Sequence, residues 1–90
     1  MNEVKKIKFM NDTISYEMRM NNRRLESIEK RVRIIMNEIK EIAESGKLHE
    51  VIYLDSKVNT LKEYKIEKES LLDQNKMLEY MLKEINKEEE

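Results

Sequence analysis

The residues of this chain that could do chemistry lie in one short polar stretch, at positions 55–59. It contains Asp55, Ser56 and Asn59, which supply a carboxylate, a hydroxyl and a carboxamide. An aspartate can accept a proton, whereas an asparagine can orient a water molecule but cannot act as a general base. The stretch is therefore a candidate catalytic site. The alternative is that all three residues are ordinary exposed positions of a helix.

Residue counts exclude other kinds of site. One glycine cannot build a phosphate-binding loop, and one histidine without cysteine supplies neither the usual zinc cluster nor a thiolate. No metal and no cofactor is therefore expected. His49 is expected to start a helix or to face solvent. The arginines at positions 19–33 could grip a phosphate or an acidic surface, but they are interleaved with Glu26 and Glu29 and favour a salt-paired helix face.

The composition indicates long solvated helices rather than a thick globular core. Charged residues make up 41% of the chain and hydrophobic residues 39%, and the net charge is −1. This near-neutral charge predicts no nucleic-acid partner. The longest apolar run, at 34–36, has only three residues, which predicts no membrane partner. The absence of cysteine fits a cytoplasmic protein.

Two helical arms must position the polar stretch. Gly46 is the only glycine, there is no proline, and the glycine falls at the midpoint of the 90 residues. A helix ends readily at a glycine, because glycine adopts the left-handed conformation at little steric cost. We therefore predict an all-α fold, an antiparallel, coiled-coil-like two-helix hairpin over residues 1–90, with arms at about 3–45 and 48–87. The charged end, residues 87–90, is expected to fray.

Each arm carries a stripe of mainly apolar residues three and four apart, the heptad spacing of helices that pack along a seam. The stripe of the first arm consists of Val4, Ile7, Asn11, Ile14, Met18, Asn21, Leu25, Ile28, Val32, Ile35, Ile39 and Ile42. The stripe of the second arm consists of Val51, Leu54, Val58, Leu61, Tyr64, Lys68, Leu71, Asn75, Leu78, Leu82 and Ile85. The spacing 58, 61, 64 breaks the alternation and predicts a local phase slip.

Asparagines interrupt both stripes. Folding the arms about the glycine brings Asn21 near Asn75, and a buried contact between them could fix the register of the hairpin. Asn11 has two interpretations. It is either a further polar seam residue of a helix that begins early, or part of a helix start at residues 11–13, where good capping residues stand.

Further apolar residues lie off the seam and widen it beyond what one partner helix covers. They are Phe9, Met10, Met20, Ile34, Met36, Tyr53, Met77, Tyr80 and Met81. They predict a homodimer in which two hairpins form a four-helix bundle. The competing interpretation is a partner-binding face, for which flexible methionines are well suited.

The middle of the chain, about residues 25–66, resembles a known family. An amphipathic helix, a turn with glycine, and then Val51 and Leu54 match the pattern of the sporulation-regulatory aspartyl-phosphate phosphatases of spore-forming bacteria, the stage-zero sporulation protein E family. Leu61 and Tyr64 match positions after the family's Ser-Gln-x-x-Asp motif. The resemblance implies a short helical hairpin, a small negative regulator that binds the receiver domain of a phosphorylated response regulator and promotes loss of its phosphoryl group.

The motif itself departs from the family's pattern. Asp55 stands in place of the serine, Ser56 in place of the glutamine, and Asn59 in place of the functional aspartate. Three outcomes follow: Asn59 orients the attacking water, Asp55 substitutes for the lost carboxylate, or the protein binds without catalysing. The last is a non-catalytic helical-hairpin adaptor. The residues expected to contact the partner are Arg31, Tyr53, Lys57 and Lys62.

Overall fold

Two long helices make up the fold. The structure, a computed structural model, describes residues 2–87, apart from the side chains of Asn2 and Leu48. Helix α1 spans Asn2–Ser45 and helix α2 spans Leu48–Lys87. They pack side by side along a body of 68 × 15 × 15 Å. The predicted all-α hairpin is confirmed. Of residues 87–90, which were expected to fray, Lys87 still belongs to α2, and 88–90 lie outside the described part of the chain.

Helix α1 begins early. Its first residue is Asn2, so the alternative of a helix start at residues 11–13 is wrong. Thr13 lies inside the helix and its hydroxyl donates a hydrogen bond of 2.8 Å to the carbonyl oxygen of Phe9, four residues before. The capping potential of this segment is not used, because the hydroxyl bonds back to the helix instead.

The turn between the helices depends on Gly46. Its φ is +63°, in the left-handed region, as the sequence predicts. The hydroxyl of Ser45 lies 2.8 Å from the Glu50 carboxylate, and the backbone N–H of Glu50 donates to the Lys47 carbonyl oxygen over 3.0 Å. At the turn, the end of one helix and the start of the next leave backbone groups without helical partners. These bonds supply partners for some of the polar groups there. The chain therefore reverses within two residues.

Replacing Gly46 by alanine is expected to lower the free energy of unfolding by about 1–2 kcal/mol. Nothing lies within 4 Å of the position that the new Cβ would take, so the cost comes from the backbone conformation alone. Asparagine tolerates this conformation better than alanine does, and Gly46→Asn should cost less. Urea denaturation of the three proteins measures the order. An asparagine variant as unstable as the alanine variant would contradict this account.

The seam is buried most deeply in the middle of α1, between Ile14 and Ile28. Ile14 is 5% exposed, Ile28 is 1% exposed and the polar Asn21 is 9% exposed. The other predicted seam residues of α1 are half-buried, except Val4, which is exposed. A single pair of helices leaves most seam side chains partly open to water, because each helix covers only one flank of the other.

The seam of α2 follows a different course from the predicted one near the turn. Val51 and Val58 are 46% and 38% exposed, whereas Glu50 and Lys57 are half-buried in their place. The half-buried positions 50, 54, 57, 61 and 64 alternate by four and three, so the alternation does not break at 58, 61, 64 as predicted. It breaks one step further on, where Glu67 is half-buried and the predicted Lys68 is exposed. The spacing by four and three keeps the larger Leu61 and Tyr64 in the seam. Lys57 is tolerated there because its ammonium group pairs with Glu38.

Two ion pairs define one side of the hairpin. Arg24 of α1 pairs with Glu67 of α2, and Glu38 pairs with Lys57. We call the side on which they cross the bridged side. Glu29, five positions after Arg24, and Lys65, two positions before Glu67, lie on the opposite flank of their helices. The reason is that each residue turns the helix by about 100°. We call that flank the groove side.

Asparagines join the helices at two levels. The side-chain amide of Asn21 donates to the side-chain oxygen of Asn75 over 3.0 Å, which confirms the predicted contact. Asn75 in turn donates to the side-chain oxygen of Asn22 over 3.0 Å. Nearer the chain ends, Asn11 donates to Asn86 over the same distance. Asn21 is buried, so its bond to Asn75 satisfies it only in this register and specifies how the helices align. The bonds to Asn22 and Asn86 are exposed, where water can replace them.

Candidate functional site

The predicted polar stretch lies two turns into α2 and faces solvent. Asp55, Ser56 and Asn59 are all exposed. Asp55 and Asn59 are four residues apart, so their side chains share one face of the helix. The hydroxyl of Thr60 donates to the Ser56 carbonyl oxygen over 3.0 Å. Within residues 2–87, no hydrogen bond or ion pair engages the side chains of Asp55 and Asn59. Both are available to a partner.

Two isoleucines bracket these polar side chains. Ile52 is 75% exposed and Ile66 is 68% exposed, seven residues before and seven after Asn59. That spacing places all three on one stripe of the helix, pointing away from α1. Asp55 and Lys62 lie on the same face. We call this set of five residues, from Ile52 to Ile66, the outer strip.

Sequence reasoning missed the two isoleucines. Neither was counted in the seam or among the off-seam apolar residues, because the search followed the stripe that faces the partner helix. The signal was present: two β-branched apolar residues, Ile52 and Ile66, stand 14 residues apart with Asn59 midway. Single exposed apolar residues are common on protein surfaces, so what distinguishes these two is their place on one stripe with Asn59 between them.

The four residues expected to contact a partner do not form one surface. Lys62 belongs to the outer strip, whereas Arg31 and Tyr53 are exposed toward the bridged side, each a whole number of heptads from a residue of the Arg24–Glu67 pair. Lys57 is half-buried and its ammonium group pairs with Glu38. The structure therefore gives Lys57 a bond between the helices.

The Arg24–Glu67 ion pair shifts the pKa of both of its members. The guanidinium of Arg24 donates two hydrogen bonds, of 2.5 and 2.8 Å, to the carboxylate of Glu67. These bonds and the positive charge lower the pKa of Glu67 from its ordinary value, and the same hydrogen bonds raise the pKa of Arg24. Solvent reaches both side chains, which limits the contribution of the pair to stability. One member of the arginine group is thus salt-paired across the hairpin.

Neither a metal cluster nor a membrane-spanning segment is found among the described residues. Between positions 2 and 87, no group of three histidine, cysteine, aspartate or glutamate side chains is placed to hold a metal ion. Neither α1 nor α2 contains a stretch apolar enough to cross a membrane.

Comparison with protein-family models, with curated proteins and with solved structures finds no match to this chain. With no relative to compare, the possible chemistry of the site has to be argued from the side chains of the outer strip. Asp55 can accept a proton and Asn59 can hold a water molecule through its carboxamide. Because both are open to solvent, an electrophile would have to be brought to them by a docking partner that also excludes bulk water.

Proposed function

We propose that this protein is a small cytoplasmic regulator that binds a phosphorylated response regulator through the outer strip and promotes loss of its phosphoryl group. One observation carries the proposal. Asp55, Asn59 and Lys62 stand side by side on an exposed stripe, bracketed by the exposed Ile52 and Ile66. The two isoleucines supply apolar surface that a partner can bury, and the polar side chains between them would then meet the partner's polar groups.

In the proposed complex, the isoleucines bury against the receiver domain and the polar residues meet its aspartyl phosphate. The carboxamide of Asn59 orients a water molecule in line with phosphorus. The water oxygen forms a bond to phosphorus as the bond from phosphorus to the aspartyl oxygen breaks. Asp55 accepts the proton of the water, and inorganic phosphate and the free receiver carboxylate remain. Lys62 attracts the phosphoryl oxygens as negative charge develops.

A second candidate function is a binding adaptor without catalysis. It is favoured by Asn59, because a carboxamide cannot take a proton as an aspartate would. The outer strip would then hold the partner and leave its phosphoryl group intact. Both candidates require Ile52 and Ile66, whereas only the first requires the polar pair.

The lifetime of the phosphoryl group on a phosphorylated receiver domain separates the two. With the wild-type chain, phosphate loss should accelerate, and Asp55→Ala and Asn59→Ala should each remove about 100-fold or more of that acceleration. Matched controls are Asp12→Ala and Asn37→Ala, both on α1. Both remove an exposed residue of the same type outside the outer strip, and both should act as wild type does.

The outcomes differ clearly. Binding without any change in phosphoryl lifetime would reject catalysis and support the adaptor. If Ile52→Asp with Ile66→Asp left binding unchanged, the outer strip would be the wrong surface and both candidates would fail.

We also propose that the protein acts as a homodimer. Met10 lies two heptads before Arg24 and Met81 two heptads after Glu67, so both fall on the bridged side, at the end away from the turn. With the neighbouring Phe9 and Tyr80 they form an exposed apolar far-end patch. Light scattering should give about twice the chain mass of 11.0 kDa, and a monomer would leave this patch as an open binding face.

A further inference from the structure

The groove side of the hairpin carries an apolar channel that the outer strip does not use. It encloses ≈ 460 Å³ between the helices. Its apolar lining consists of Ile28, Val32, Met36, Leu61 and Tyr64. Toward the turn the apolar surface continues through the exposed Val58 and Val51, which lie one and two heptads before Lys65 on the same flank.

The rim of this channel is basic. Arg33, Lys65 and Lys68 line it with Glu29, which gives three positive charges against one negative. Among residues 2–87 none of the three cations forms an ion pair. Lys68, which was predicted to lie in the seam, is exposed, and its charged side chain leaves the channel open to solvent. The surface therefore combines an apolar floor with uncompensated positive charge.

We infer that this groove binds an amphipathic helix with acidic flanks, supplied by a different protein. An apolar stripe on such a helix would cover Val32 and Met36 and bury them as a third helix does in a bundle. Acidic residues on its flanks would meet Arg33, Lys65 and Lys68. The proposal concerns a surface separate from the outer strip and does not depend on what the outer strip binds.

Charge argues against a second copy of this chain in the groove. In a two-fold symmetric pair, each patch meets the same patch of the other chain. Two facing grooves would bring together six positive charges and two negative ones, and this net repulsion is unfavourable in a partly desolvated contact. The dimer proposed above uses the bridged side, so it leaves the groove free.

The length of the groove fits a short helix. From Glu29 to Ala43 on α1 the groove side runs for about 21 Å, at 1.5 Å per residue. A helix of about four turns would span it. Its apolar residues would recur three and four apart, because that spacing follows the flank of a supercoiled pair.

The test uses two synthetic peptides of about two heptads, which matches the length of the groove, both with leucine at the seam positions. One carries glutamate on its flanks and the other carries lysine. Fluorescence anisotropy with the full chain should show the acidic peptide binding about tenfold or more tightly than the basic one, weakening with added salt. The double variant Lys65→Glu, Lys68→Glu should reverse this preference.

Two controls keep the result specific. Arg23→Glu with Lys30→Glu makes the same change of charge on exposed positions of α1 outside the groove lining and should leave the preference intact. Met36→Asn removes apolar surface without changing the charge and should weaken binding of the acidic peptide. Circular dichroism checks that each variant is helical.

Three results would overturn the inference. Equal binding of the two peptides would show that the rim does not select charge. An effect of the Arg23 and Lys30 control as large as that of the groove variant would show general attraction only. Loss of a dimer on adding the acidic peptide, or on reversing Lys65 and Lys68, would assign the groove to a second copy.

Discussion

Replacing Ile28 by alanine is expected to lower the free energy of unfolding by about 2–3 kcal/mol. Ile28 is the largest fully buried side chain among residues 2–87, at 1% exposure. Truncation removes its contacts and leaves a cavity between the helices. We expect the lower part of the usual range for such a change, because the groove side is open and neighbouring side chains can move into the space. For a thin two-helix seam this is a large fraction of the total stability.

The matched control for this prediction is Ile34→Ala. Ile34 lies six residues further along the same helix and is exposed, so the same change of side chain should cost about 0.5 kcal/mol or less. Urea denaturation followed by circular dichroism measures both, at one fixed protein concentration because association would add to stability. Equal costs for the two variants would mean that the seam is not packed as described.

The hairpin could be predicted because few residues specify it. One glycine at the midpoint of a chain without proline leaves a single place to turn, and the φ of Gly46 shows that the turn uses it. Equal arms then fix which positions oppose each other, so the contact of Asn21 with Asn75 followed from geometry. Both inferences rest on local conformational preference and counting, which a sequence contains in full.

The course of the α2 seam near the turn could not be predicted in the same way. Apolar character favoured Val51 and Val58, but the structure places Lys57 in the seam and pairs it with Glu38. That pairing joins residues 19 positions apart, and nothing local to α2 announces it. A heptad pattern decides the phase of a helix only where its apolar residues are unambiguous.

The candidate site was predicted only in its polar part. The types of residue at 55–59 indicate the chemistry they could do, and their exposure agrees both with a working site and with ordinary surface positions. The exposed Ile52 and Ile66 on either side of this stretch were missed. Whether an apolar residue packs in the seam or is open to a partner depends on which face of the helix it occupies. Until the phase of the seam is known, that face is unknown too.

Replacing Asn75 alone by leucine is expected to cost about 1–3 kcal/mol, whereas replacing Asn21 and Asn75 together should restore or raise stability. The single change leaves the buried amide of Asn21 without the acceptor that it now reaches over 3.0 Å. The double change puts two apolar side chains of similar size in contact at a seam position, which is usually neutral or stabilising. The expected loss is in specificity, because an apolar pair fits more than one register or assembly.

A double-mutant cycle measures this coupling. The two single changes and the double change should differ from additivity by about 1–3 kcal/mol in urea denaturation. Light scattering should show mixed assemblies for the double variant, where the wild type gives one. Asn22→Ala serves as the control. Asn22 is an exposed acceptor from Asn75, and water can take its place, so the change should cost about 0.5 kcal/mol or less. If the costs of the two leucine changes simply added, the asparagine pair would not act as a unit, and the register of the hairpin would have to come from the apolar seam and the two ion pairs instead.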